Sequence, residues 1–268
     1  MLREITLGQY YSTESKIHSL DPRTKITGTF IFIISLFLFR SVVTTITAAF
    51  FLAFVISLSR VPLGFILRGM KSIVFILLIT VVFNLFLTPG IPLFSFHGLV
   101  ISDEGLKVAA FTAVRLIFLI IGSSIMTLTT TPNNLTDGLE ALMNPLKVFR
   151  VPVHEVAMMM SIALRFIPIL MEETDKIMKA QEARGADFES GNVIERAKAL
   201  VPVLVPLFVS AFRRANDLAM AMEARCYRGG EGRTKMKPLV YKRIDLAAYF
   251  VLVLYLALMI LAGIFAPY

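Results

Sequence analysis

Long apolar runs fill the first half of the chain and its last stretch, while the segment between them is apolar at some places and heavily charged at others. The apolar runs cover Ile26 to Phe39, Val42 to Leu58, about Ser72 to Leu87, about Val108 to Leu128 and about Leu246 to Ala262. None shows the strict alternation of a half-buried strand, and most approach the roughly 20 residues that a helix needs to cross a bilayer. The first is short, so its helix is expected to begin a few residues earlier. The third breaks at Pro89-Gly90 and Pro92, where proline and glycine end regular structure. The pattern therefore predicts an all-α, polytopic membrane protein with about five transmembrane helices.

The segment from 131 to 243 reads differently. Thr131-Pro132-Asn133-Asn134-Leu135 opens a short helix, with an Asn cap expected before Leu135, apolar Leu135, Leu139 and Leu142 at helical spacing, and a stop at Pro145. From Val153 to Leu170 nearly every residue is apolar, with Arg165 the only charge after Glu155. The pattern then turns amphipathic through Glu172-Glu173-Thr174-Asp175-Lys176 to Arg184. A second such helix runs from about Asn192 to Arg225, with Pro202 and Pro206 bending it. Both are too apolar for water and too charged at one end to span, a combination that suits helices lying along the membrane surface. Each is roughly 50 Å long at 1.5 Å per residue. The chain thus divides into 1–130 (polar arm and four spans), 131–243 (cytoplasmic helices) and 244–268 (last span).

These two helices close on the same short phrase. Gln181-Glu182-Ala183-Arg184-Gly185 ends the first and Met222-Glu223-Ala224-Arg225-Cys226 the second. An arginine at a helix C-terminus meets unpaired carbonyls and the negative end of the dipole, so one copy alone is explained by capping. Two Glu-Ala-Arg endings on consecutive helices point instead to two arginines presented for a partner. The connection between the helices is short, so the second helix starts near Arg184 and carries Arg225 tens of ångströms away. That spacing suits a partner with two similar subunits.

Composition agrees with a membrane protein: 56% of the 268 residues are hydrophobic and 17% charged, with a mean hydropathy of +0.75. The net charge of +8 is the signature of basic cytoplasmic loops rather than of nucleic-acid binding. Of 27 lysines and arginines, 17 fall between Thr131 and Arg243, four in the N-terminal arm and three in the loop after the second span. The opposite side has Arg40 and Lys107. With five spans this places the N-terminus in the cytoplasm and the C-terminus outside a prokaryotic plasma membrane. The polar first 25 residues show no cleavable leader, and a single cysteine, Cys226, allows no internal disulfide.

Reactive chemistry is hard to find. His154-Glu155-Val156-Ala157-Met158 has methionine where a zinc helix needs its second histidine. Asn216-Asp217 begins like a prenyltransferase diphosphate motif but lacks the second aspartate. Gly229-Gly230-Glu231-Gly232 lacks the Gly-Lys-Ser/Thr that would cradle phosphate. Glu172, Glu173 and Asp175 read as a solvated helix face. Arg115, inside the fourth span, is either a pathway residue or a snorkelling one, and Asn84 and Met158 to Met160 read as packing. No catalytic residue, metal or cofactor is expected.

Several stretches together carry a family resemblance: Leu20-Asp21-Pro22-Arg23-Thr24-Lys25, Thr131-Pro132 with Gly138-Leu139-Glu140, Ala163-Leu164-Arg165-Phe166-Ile167-Pro168, Glu182-Ala183-Arg184-Gly185 and Glu223-Ala224-Arg225-Cys226-Tyr227. In this order they resemble the transmembrane T component of energy-coupling-factor importers, the ABC-type vitamin and metal-ion uptake systems of bacteria and archaea. The resemblance implies that Ala183-Arg184-Gly185 and Ala224-Arg225-Cys226 each close a coupling helix and each dock one ATP-binding-cassette subunit. Cysteine at the third position of the second triplet departs from the glycine of the first. It further implies a non-enzymatic scaffold in the bilayer, with two ATPase subunits and one substrate-binding membrane subunit as partners and no nucleic acid. A self-contained secondary transporter or channel is the alternative, and would need a polar path through its own spans; an integral-membrane enzyme comes third.

Overall fold

The computed structural model describes residues 10–38, 41–66, 73–96, 99–188, 190, 192–230 and 236–265. It is helical almost throughout: α1 (Pro22–Leu38), α2 (Val42–Ser59), α3 (Val74–Leu87), α4 (Asp103–Thr129), α5 (Pro132–Met143), α6 (Val153–Glu182), α7 (Val193–Ala224) and α8 (Arg243–Phe265), with a 3-10 turn at Asn144–Phe149. The five expected spans are all helices, and α1 does begin ahead of the apolar run, at Pro22. By length and composition α2, α4 and α8 can cross a bilayer, and so can α6, which the sequence pattern lays along the surface. The loop after α3 holds a feature that the pattern does not announce, an antiparallel hairpin of β1 (Pro92–Phe96) and β2 (Leu99–Ser102) with Phe94 opposite Ile101. The expected residues Arg40, Lys71, Glu231, Gly232, Lys235 and Tyr268 lie outside the described residues.

Two compact units result. One holds the described residues up to Leu142 and those from Leu239 onward; the other runs from Met143 to Pro238. The division falls after α5, whereas the sequence pattern cuts before it. Close approach explains why: a Cβ on Gly138 would stand 2.9 Å from both Pro22 and Ile26, so α5 lies tight against the start of α1. The cap of α5 also differs from expectation. Thr131 accepts from the Asn134 N–H (3.3 Å) and Pro132 takes the first helical position, where its missing N–H costs nothing.

The core of the first unit gathers Phe32, Leu36, Ala48, Leu52, Ile125, Leu128, Tyr255 and Met259 from α1, α2, α4 and α8. Tyr255 stacks on Phe51 at 4.2 Å between ring centroids, and its hydroxyl meets that of Ser35 at 2.7 Å. At the end of this core the Asp21-Pro22-Arg23-Thr24-Lys25 stretch ties three helices together. The buried Asp245 carboxylate accepts the backbone N–H groups of Asp21 and Lys242, each at 2.7 Å. Arg23 pairs with Asp21 at 3.0 Å and lies 3.8 Å over the Tyr241 ring. The Lys25 ammonium donates to the His18 and Thr129 carbonyls at 3.1 and 2.8 Å, linking α1 to the end of α4. Burial pushes the Asp21 carboxyl up, but the hydrogen bonds and charge of Arg23 outweigh it and hold the group below the usual carboxylate range.

Candidate functional site

In the second unit, α6 and α7 pack against each other and each ends on one of the repeated arginines. The start of α7 follows from sequence. Asn192 opens α7 with its N–H donating to Glu195 at 3.0 Å, the reach-back half of a capping box. Prolines 168, 202 and 206 are accommodated inside the helices. Pro206 has no N–H to give the Pro202 carbonyl, and the Gln181 side chain reaches that carbonyl from α6 at 3.5 Å.

The two ends are built alike. After α6, the Gly185 N–H donates to the Glu182 carbonyl at 2.9 Å and the Ala186 N–H to Gln181 at 3.0 Å. After α7, the Cys226 N–H donates to Glu223 at 2.8 Å and the Tyr227 N–H to Met222 at 3.0 Å. This is the Schellman arrangement, in which a left-handed residue reverses the chain and satisfies the last carbonyls. The left-handed residue is Gly185 at φ +90° in one copy and Cys226 at φ +55° in the other. Cysteine at the third position is therefore no departure in backbone role, although the residue change suggests one. Arg184 and Arg225 immediately precede the reversal and are exposed, and among the described residues neither guanidinium has an ion-pair or side-chain hydrogen-bond partner. Ala183 and Ala224 are exposed beside them. A small side chain in each triplet's first position leaves the arginine clear.

The acidic cluster on α6 needs a correction. Glu173 is not simply a solvated face: one carboxylate oxygen accepts from the Ser210 hydroxyl and the other from Arg214 at 2.7 Å, both across on α7. His154, in the first turn of α6, lies under the chain that follows the second arginine. A Cβ on Gly230 would stand 2.6 Å from the imidazole, so only glycine fits there.

Two of the polar candidates, Asn84 and Arg115, belong to the first unit. The Asn84 side-chain amide donates to the Thr80 carbonyl of its own helix at 2.8 Å. The Arg115 guanidinium lies 5.7 Å from the Phe37 ring centroid, at the end of α1 remote from Pro22, and shares a small recess with Thr44 and Thr45. A half-open cavity of about 410 Å³ is lined mostly by apolar side chains of α1, α2, α4 and α8, among them Phe32, Phe51, Leu52 and Leu252, with Lys16, Thr24 and Lys25 also in its lining.

Comparison with known proteins places this geometry in context. The family model for CbiQ, described as cobalt transport protein, matches residues 13–236. The chain is 56% identical over 250 residues to a Clostridium kluyveri protein named energy-coupling factor transporter transmembrane protein EcfT, covering 92% of this chain and 93% of that one. Proteins of the same name from Ruminiclostridium cellulolyticum and Bacillus subtilis are 52% and 49% identical, each covering 97% of this chain and 98% of their own length.

Proposed function

The chain belongs to the CbiQ cobalt transport protein family, with EcfT proteins among its relatives, and from that premise we propose that it is the energy-coupling scaffold of an energy-coupling factor importer. In this reading it catalyses nothing itself. Two cytoplasmic ATPases of the ATP-binding-cassette type dock on it, Ala183-Arg184-Gly185 receiving one and Ala224-Arg225-Cys226 the other. ATP-driven closure of the ATPases moves the two helix ends, and α6 and α7 carry that motion to a separate membrane subunit that captures a vitamin or metal ion. Long packed helices that stay rigid while their ends are displaced can carry such a ligand-driven change. The N-terminus faces the cytoplasm and the C-terminus the outside.

One observation carries the proposal. Two helices end in the same Schellman geometry and each presents an exposed arginine, unpaired among the described residues, at the same point of it. Arginine's planar fork suits a groove of carboxylates or carbonyls in a way that lysine cannot copy. The test is co-purification of the ATPase subunits with tagged protein, alongside substrate uptake into vesicles. Arg184→Ala or Arg225→Ala alone weakens assembly, because each removes a contact typically worth about 2 kcal/mol or more. The double substitution releases the ATPases while membrane insertion is unchanged. Full retention and normal uptake in the double variant would reduce both arginines to helix caps.

A further inference from the structure

The repeat that relates the two arginines extends to the contact between their helices. Arg184 and Arg225 stand 41 positions apart, and so do Glu173 and Arg214, which hold each other at 2.7 Å. Shifting by the same 41 sets Glu172-Glu173 on Arg213-Arg214. Equivalent positions meet each other where a local two-fold axis passes through a contact. Identical charges there would repel; acid in one copy and base in the other make the self-contact attractive. Both carboxylate oxygens of Glu173 are used, one by Arg214 and one by Ser210, a turn earlier on the same face of α7.

The helices run in opposite directions past this point. Moving along α6 from Glu173 to Gln181 brings the partner on α7 back from Arg214 to Pro202. Arg184 follows Glu173 by 11 positions and Arg225 follows Arg214 by 11, so two arms of about 16 Å each leave the contact in opposite senses. A partly exposed ion pair adds little to stability, so its value lies in geometry: it fixes where the two helices cross and hence how far apart the arginines stand.

We infer that Glu173, with Arg214 and Ser210, is the pivot at which α6 and α7 cross, a set of positioning residues that keeps the two arginine ends at equal reach. The inference rests on the arginines being the ATPase docking points. Its test separates the two. Spin labels on Ala180 and Ala221, exposed and 41 positions apart, report the spread of the arms in the purified full chain with Cys226→Ser, where no ATPase is present. The unaltered pivot gives one narrow distance distribution. Glu173→Arg or Arg214→Glu alone places like charges at the crossing and broadens or shifts it, and the double swap Glu173→Arg, Arg214→Glu restores it. In the reconstituted complex, uptake per ATP hydrolysed falls several-fold in each single reversal and returns in the swap, a rescue that a general loss of folding cannot give. Unchanged distances in both single reversals, or a swap that rescues neither distance nor coupling, would overturn the pivot. Retention of ATPases by the Arg184→Ala, Arg225→Ala variant would overturn the docking reading while leaving the label distances to stand or fall separately.

Discussion

The third residue of each triplet offers a test in which the two copies answer in opposite directions. Gly185 sits at φ +90° with open space around it, so only its backbone conformation requires glycine. Cys226 holds the equivalent left-handed conformation at φ +55° with a side chain attached. For an L-residue that conformation costs about 1–2 kcal/mol. The entropy that glycine loses on ordering returns roughly 0.4–1 kcal/mol of it. Gly185→Ala should therefore loosen its helix end by about 1 kcal/mol, and Cys226→Gly should tighten its own by somewhat less. Since about 1.4 kcal/mol is tenfold in an equilibrium, the Ala186 amide should exchange with solvent about fivefold faster in Gly185→Ala. The Tyr227 amide should exchange more slowly in Cys226→Gly and unchanged in Cys226→Ala. Hydrogen exchange read at single amides suits the question, because it measures local opening rather than global unfolding. No change at Ala186, or faster exchange at Tyr227 in Cys226→Gly, would refute the equivalence of the two ends.

Three other outcomes follow from the same structure. Asp245→Ala strands two backbone N–H groups, those of Asp21 and Lys242, and should cost about 3 kcal/mol in reversible unfolding from detergent micelles, with Asp245→Asn losing less. Because the folded Asp21 carboxyl is held below its ordinary value, its contribution is complete above about pH 4 and lost as pH falls through the folded value; Asp21→Asn should be less stable at neutral pH and show a shallower acid decline in the same assay. In a Cys226→Ser background, cysteine at residue 147 should resist an impermeant thiol reagent in intact cells and cysteine at 268 should react, and labelling at 147 without lysis would invert the proposed topology.

The helices were legible because bilayer physics leaves so few choices: an apolar run bounded by Pro, Gly or charge has to be a helix, and α2, α4 and α8 match their runs closely. The paired arginines were legible because the phrase around them repeats. Less visible was what residue identity does not encode. A cysteine in the left-handed region looks like a break in a motif until its φ is known. The Thr131 cap was hidden by two asparagines that are better cap formers in isolation, and Pro132 decided the matter by claiming the first helical position. The hairpin at Pro92–Ser102 was masked by the prolines that announce a break. Glu173 read as solvated because its partners, Ser210 and Arg214, lie on another helix. The 41-residue offset already present in the sequence was the signal that could have paired them.

The central claim, one ATPase subunit for each arginine, is tested most directly by counting. Native mass spectrometry of the assembled transporter should find two ATPase subunits on the unaltered chain. Arg184→Ala and Arg225→Ala should each populate complexes that have lost one, and the double variant should hold neither. Two ATPases still bound to the double variant would contradict the account.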